Sequence, residues 1–242
     1  MKPIFSATAA AIAALSLAGC QKADDAVFGQ RVHAYLMAHP EVIREAAQKL
    51  QENEQAEAAK ASTAAIGKFR NQLERDPRDI VINPNGKVTV VEFFDYRCGY
   101  CKLAAPEVVK LVQQNPDIRF VFKEFPIFGD VSDTAAKVAL TPAAKAKGLD
   151  LYQSWMSEKA LDDTLLDKDL KAAGLDPAQL RKASADPGIE RQILDTRALA
   201  TSLKIEGTPA FIVGDTMIPG ADIPALRAAI TVAKDGGLRK LG

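Results

Sequence analysis

The sequence predicts an α/β fold: a domain built on a parallel strand–helix–strand unit, interrupted by a helical insertion and preceded by a separate helical segment. Three observations predict it. Strand-like runs at 79–94 and 117–125 bracket a helical run that opens on Cys98 and Cys101, an order that makes a parallel βαβ unit. Residues 131–203 are almost all helix-forming before strand signals return at 208–220. Residues 21–76 are helix formers with no strand-like run. A chain of 242 residues, 48% hydrophobic, suits one ordinary domain plus such a segment. Its 31 Lys and Arg balance 31 Asp and Glu, so no basic excess points to nucleic acid.

The N-terminus differs from the rest. Lys2 gives a weakly positive start, and IFSATAAAIAALSLAG then runs uncharged into small residues. That stretch is short for a bilayer span and reads as a secretory signal. Its end, LAGC (Leu17 to Cys20), resembles the bacterial lipobox. The resemblance implies a lipoprotein signal peptide over 1–19, lipidation at Cys20 and an acyl anchor, with Gln21 pointing to the outer membrane. The alternative is an ordinary signal peptide cut nearby, which leaves Cys20 a free thiol. Export places the chain where disulfides form and persist. With Cys20 acylated, the mature chain keeps two thiols, both in one CxxC.

Helical elements follow. In residues 21–38, Phe28, Val32, Tyr35 and Leu36 share one apolar face. Pro40 suits the first position of a second helix. Residues 41–76 are strong helix formers broken only by Gly67; if continuous, they span about 50 Å at 1.5 Å per residue. Val42, Ile43, Ala46, Ala47 and Leu50 make a stripe that fades into alanine and charge. We expect an oligomerisation region over 20–50 and a polar helical stalk over 51–76, with a helix packed back on its own domain as the alternative.

From residue 77 the main domain begins. DIVI and KVTVVEFF are strand-like and flank the turn signal NPNG. CGYCKLAAPEVVKLVQQNP reads as a helix, with Pro106 a candidate kink, and DIRFVFKEF as the next strand. Within the insertion, Asp176–Pro177 and Asp186–Pro187 look like N-cap and N1 pairs. Trp155 and the leucines of 161–180 read as core of that insertion. TPAFIV and TMIPG make a hairpin around Gly214–Asp215, and ADIPALRAAITVAKD closes the chain as an amphipathic helix.

The CxxC carries the chemistry. Two thiols at i and i+3 on a first helical turn lie within disulfide reach, roughly 4.4–6.8 Å between Cα atoms. Helix N–H groups and the macrodipole favour a thiolate at Cys98, making it nucleophile and leaving group. Cys101, one turn in, is expected to be more buried and to resolve. Gly99 and Tyr100 between them tune the pair; Arg97 and Lys102 add little field. No structural metal site is expected: zinc wants four ligands, and His33 and His39 lie in the N-terminal helices. A static disulfide closing so small a loop would stabilise little. Copper(I) on two thiolates stays open as a ligand; no other cofactor is expected.

VTVVEFFDYRCGYC, the helical insertion and GTPAFIV, in this order over about residues 79–238, resemble the DsbA-like branch of the thioredoxin superfamily. The resemblance implies a thioredoxin fold with a helical insertion at about 131–203. It also implies that Pro209 is the cis-proline beside the cysteines and that Thr208 and Pro209 bind an extended substrate strand. Glu92 matches the family's buried acid, with a raised pKa and a proton relay to Cys101. YLMAHPEVIREAAQKLQ looks like the N-terminal region of the suppressor-of-copper-sensitivity protein C family. That implies a periplasmic homo-oligomer, a trimer being the expected form. Its activity would be disulfide isomerase or reductase on exported proteins, and an inner-membrane thiol–disulfide reductase would supply electrons. The lipobox departs from that family, where a soluble signal is the default. Two other functions compete: a DsbA-type dithiol oxidase, disfavoured by the lack of histidine between the cysteines, and a copper(I)-sequestering protein.

Overall fold

A computed structural model describes residues 17–239, with side chains from 25 to 236. The signal peptide expected over 1–19 and the Cys20 side chain fall outside those described side chains. The chain divides into two compact units, residues 1–59 and 60–242. In the first, α1 (Leu17–Ala38) is followed after Pro40 by α2 (Glu41–Glu74), which runs through Gly67 without a break and continues into the second unit. Phe28, Val32, Tyr35, Ile43 and Leu50 all lie exposed.

The second unit is built on a five-stranded sheet. Its strands are β1 (Ile80–Ile82), β2 (Val88–Phe94), β3 (Ile118–Glu124), β4 (Ala210–Val213) and β5 (Thr216–Pro219), in the order β1-β3-β2-β4-β5. Only β2 and β3 are parallel, with Glu92 opposite Phe122; α3 (Gly99–Gln114) makes the crossover between them. Both sheet faces are covered: β2 is a near-continuous apolar run, and β3 is buried along its whole length although it carries Arg119, Lys123 and Glu124. Gly86 enters β2 where a Cβ would meet the Arg119 nitrogen at 2.2 Å, so only glycine fits.

Period-two alternation divides the core. Val90 and Phe94 point to a large cluster with Val108 of α3 and Leu226 of α10 (Ile223–Arg239). The insertion joins this cluster: α4 (Asp130–Ala139), α5 (Pro142–Lys145), α6 (Gly148–Ser157), α7 (Asp163–Ala172), α8 (Pro177–Ala183) and α9 (Pro187–Ser202). The Asp176 carboxylate accepts from Ala178 N at 2.9 Å and that of Asp186 from Gly188 N at 2.7 Å, so both proline-led helices are capped as expected. Trp155 is fully buried.

Val91 and Phe93 point the other way, into a second cluster with Val121, Leu199 and two residues of α2, Ile66 and Leu73. This corrects the polar stalk expected over 51–76. From Lys60 onward the helix belongs to the second unit, so that unit starts near 60 rather than 77. Strand β3 also fixes the end of α2. Arg119 donates to the Glu74 carbonyl at 2.6 Å, and Lys123 to that of Gln72, so two otherwise unpaired C-terminal carbonyls are satisfied. Lys123 also pairs with Asp79 at 2.6 Å, both side chains 2% exposed.

Candidate active site

The active turn grows out of β2. After Phe94, the Asp95 carbonyl accepts from Cys98 N at 3.1 Å and its carboxylate from Arg97 N at 2.7 Å, closing a side-chain turn. The same carboxylate accepts from Ile127 N at 2.7 Å, Phe128 N at 3.1 Å and the Ser132 hydroxyl at 2.8 Å. A single buried acid therefore ties the approach to Cys98 to the segment after β3. Nothing in the sequence reading singled Asp95 out; its only local signal is an Asp two residues before the residue whose N–H it binds.

Cys98 is the N-cap of α3, with φ −70° and ψ 121°, and its Sγ accepts from Cys101 N at 3.4 Å. It also donates to the Thr208 carbonyl at 3.1 Å. Both cysteines are free thiols with little exposed surface, and Cys101 is the deeper of the two, as expected. The contrast is also electrostatic. Hydrogen bonding from Cys101 holds the Cys98 thiol down at about 6, aided by Thr208 and by the backbone N–H groups of Cys101 and Tyr100, against burial. The Thr208 hydroxyl is buried and otherwise unpartnered, which leaves it a donor for the thiolate. Burial pushes the Cys101 thiol far up, and its hydrogen bond to Cys98 and the Glu92 charge add to this. Arg97 and Lys102 are committed elsewhere, to the Phe128 carbonyl at 2.9 Å and the Trp155 carbonyl at 3.3 Å.

The other expected residues converge on the same place. The Thr208–Pro209 peptide is cis, and Gly220 N donates to the Pro209 carbonyl at 2.8 Å, setting this turn against β5. Gly99 and Tyr100 are exposed beside the thiols, Tyr100 at 67%. Glu92 lies on the Val90–Phe94 face of β2 and is 1% exposed. Burial pushes its carboxyl up to about 8; the Tyr152 hydroxyl opposes this and the Cys98 charge adds to it. Tyr152 comes from α6, sixty residues away in sequence, with no motif to announce it. A second buried pair, Tyr96 donating to Glu124 at 2.8 Å, was also missed. Among the described residues no group of three or more His, Cys, Asp or Glu side chains is placed to hold a metal ion, so copper(I) would have the two thiolates alone.

A helix-capping thiol, a second thiol one turn later and a cis-proline whose preceding carbonyl meets the first sulfur define a thioredoxin-fold dithiol site, one suited to thiol–disulfide exchange. The family model for the DSBA-like thioredoxin domain matches residues 89–230, and that for the copper resistance protein ScsC N-terminal domain matches residues 24–57. Three solved structures are similar. Salmonella enterica Typhimurium BcfH is 33% identical, with TM-score 0.72, over 91% of this chain and 99% of that one. A linker-deletion variant of Proteus mirabilis ScsC is 26% identical, with TM-score 0.66, over 88% and 96%. A periplasmic thioredoxin-like protein of Salmonella enterica serovar Typhimurium is 32% identical, with TM-score 0.62, over 68% and 95%. Among curated proteins, the Na(+)/H(+) antiporter NhaA 1 of Salinispora arenicola is 32% identical over 169 residues, 66% of this chain; the chain spans only 26% of that protein. The chain belongs to the DsbA-like thioredoxin family and carries an ScsC-type N-terminal domain ahead of it.

Proposed function

We propose that this protein is a periplasmic thiol–disulfide isomerase or reductase for exported proteins. The observation that carries the reading is the geometry of the pair: Cys98 caps α3, accepts from Cys101 N at 3.4 Å and meets the carbonyl before the cis-proline at 3.1 Å, which lowers its thiol to about 6 while burial raises that of Cys101. At pH 7 Cys98 is mostly thiolate. It attacks one sulfur of a substrate disulfide, forms the mixed disulfide, and the other sulfur leaves as thiolate. A substrate thiolate can then displace Cys98, which isomerises the substrate. Alternatively Cys101 displaces the bound thiol, which leaves the substrate reduced and Cys98–Cys101 oxidised. An extended substrate segment pairs with the backbone at Thr208 and Pro209. An inner-membrane thiol–disulfide reductase returns the two electrons.

The N-terminal unit supports the isomerase direction. Phe28, Val32 and Tyr35 at i, i+4 and i+7 on α1, and Ile43 and Leu50 on α2, are exposed apolar side chains that suit self-association into a homo-oligomer, a trimer in this reading. The leader with its uncharged run after Lys2, the LAGC ending and the likeness to a periplasmic thioredoxin-like protein support export, with Cys20 as lipid anchor at the outer membrane.

Reduced chain 21–242 is expected to restore activity to a scrambled multi-disulfide enzyme, with Cys98→Ser as blank. No recovery, together with fast oxidation of a reduced substrate by the disulfide form, would replace this reading with a dithiol oxidase. A chain beginning at residue 60 is expected to be monomeric in light scattering while keeping its dithiol chemistry; an unchanged particle mass would end the self-association reading. The copper-resistance description of the matched N-terminal domain favours a second reading, copper(I) held by Cys98 and Cys101. A titration of the reduced protein that ends with no bound metal removes it.

A further inference from the structure

Glu92 has an unusual setting for a buried acid. The phenol of Tyr152 donates to both of its carboxylate oxygens, at 3.1 and 3.2 Å. The other ionisable groups that feel Glu92 are Cys98 and Cys101 of α3, Tyr96 beyond β2 and Glu124 on β3, and no cation stands among them. The phenol is therefore the one group shown stabilising the charged carboxylate. Its ring is itself fixed, with centroids 5.3 Å from Phe94 and 4.9 Å from Phe122. The helical insertion thus supplies a donor to the acid beneath the dithiol.

We infer that Tyr152 is a positioning residue for the resolving step: its two-pronged hydrogen bond favours the ionised form of Glu92, the form that takes the Cys101 proton. The step balances. The Cys101 proton passes to Glu92, and the Cys101 sulfur bonds to Cys98. The bond from Cys98 to the substrate sulfur breaks, and that sulfur leaves with the electron pair and is then protonated. Counted over the first attack and this resolution together, the Cys98–Cys101 pair is oxidised by two electrons and the substrate disulfide is reduced by two. Without the phenol, burial alone sets the ionisation of Glu92. The acid holds its proton to higher pH, and less base is present at pH 7. The first attack, by Cys98, draws on Cys101 N–H, Thr208 and the start of α3, not on Tyr152.

The role of Tyr152 rests on the exchange chemistry proposed above, and it can be tested without a physiological substrate. Reduced chain 21–242 reacts with 5,5′-dithiobis(2-nitrobenzoate) in two releases of the coloured thiolate: attack by Cys98, then displacement by Cys101. For Tyr152→Phe, which keeps the ring contacts, the pH midpoint of the second release is expected to rise by about one pH unit, with the rate at pH 7 about tenfold lower. The first release should shift far less, since Glu92 reaches Cys98 only through charge. An unchanged second release overturns the inference, and so does an equal shift of both releases, which would mean a loosened site. Glu92→Gln supplies the second check: Tyr152→Phe should add nothing in that background, and a full additive effect would place Tyr152 on a separate route. Recovery of a scrambled enzyme reads the isomerase function separately. A chain that passes the reagent test and fails that one keeps the role of Tyr152 and loses the isomerase.

Discussion

The two faces of the sheet each bury a carboxylate, and they treat it in opposite ways. On the face that meets α2, Asp79 pairs with Lys123 at 2.6 Å; burial pushes its carboxyl up to about 6, so it stays ionised at pH 7. On the face that meets α3 and α6, Glu92 has a phenol and no cation, and burial carries it to about 8. The first arrangement is an ion pair at pH 7 that anchors an element. The second can change its protonation near neutral pH, which is what a proton relay beside a dithiol requires. The presence or absence of one ammonium group separates a structural acid from a chemical one.

The anchoring face is open to the severest test, at the other end of the contact it makes. A chain beginning at residue 77, the boundary the sequence suggests, lacks Ile66 and Leu73 and uncovers Val91, Phe93 and Val121. Two large side chains lost and three uncovered amount to more than about 5 kcal/mol. The expected outcome is a chain that does not fold cooperatively in urea, beside a chain from residue 60 that does. Equal midpoints would show α2 to be dispensable to this face.

That boundary shows where the sequence was legible and where it was not. The βαβ unit, the capped helices at Asp176 and Asp186 and the cysteine turn announce themselves because each is local: a run, a spacing or a dipeptide; Pro209 is placed at the site only through the family resemblance. Ile66, Phe69 and Leu73 do recur at i, i+3 and i+7, but among alanines and charges the stripe is too thin to separate a packed helix from a stalk. Lys123 and Arg119 sit on alternate positions of β3, which says which face they take but not that a helix end waits there. Tyr152 is beyond any such reading. Its partner lies sixty residues upstream, and only the packing of α6 over β2 joins them. What was missed at the site is the set of groups that tune the cysteines and their acid, and these act across the fold.

Removing the cation sharpens the comparison next. Lys123→Leu leaves Asp79 buried without its ammonium and the Gln72 carbonyl without its donor. The expected loss is about 3–5 kcal/mol in urea unfolding, larger at pH 8 than at pH 5, because an unpaired Asp79 is tolerated only when protonated. Adding Asp79→Leu should recover much of it, since no lone charge is then buried. A single variant as stable as the parent would mean that the pair anchors nothing.

The converse substitution on the chemical face should stabilise. An acid at about 8 in the folded chain and about 4.3 unfolded binds a proton in the folded state that the unfolded chain has released. Stability then falls as pH rises between those two values and levels off above the higher one. Glu92→Gln is neutral throughout and still accepts from Tyr152, so it should match the parent at pH 4 and exceed it by about 2–4 kcal/mol at pH 8. The comparison belongs in the disulfide form. In the reduced protein the lowered Cys98 thiol gives stability that is fully present above pH 9 and lost as pH falls through about 6, and this opposes the Glu92 slope over part of the range. A variant no more stable than the parent at pH 8 would mean that Glu92 is solvated well enough to ionise freely. The contrast between the two buried acids would then be one of position alone.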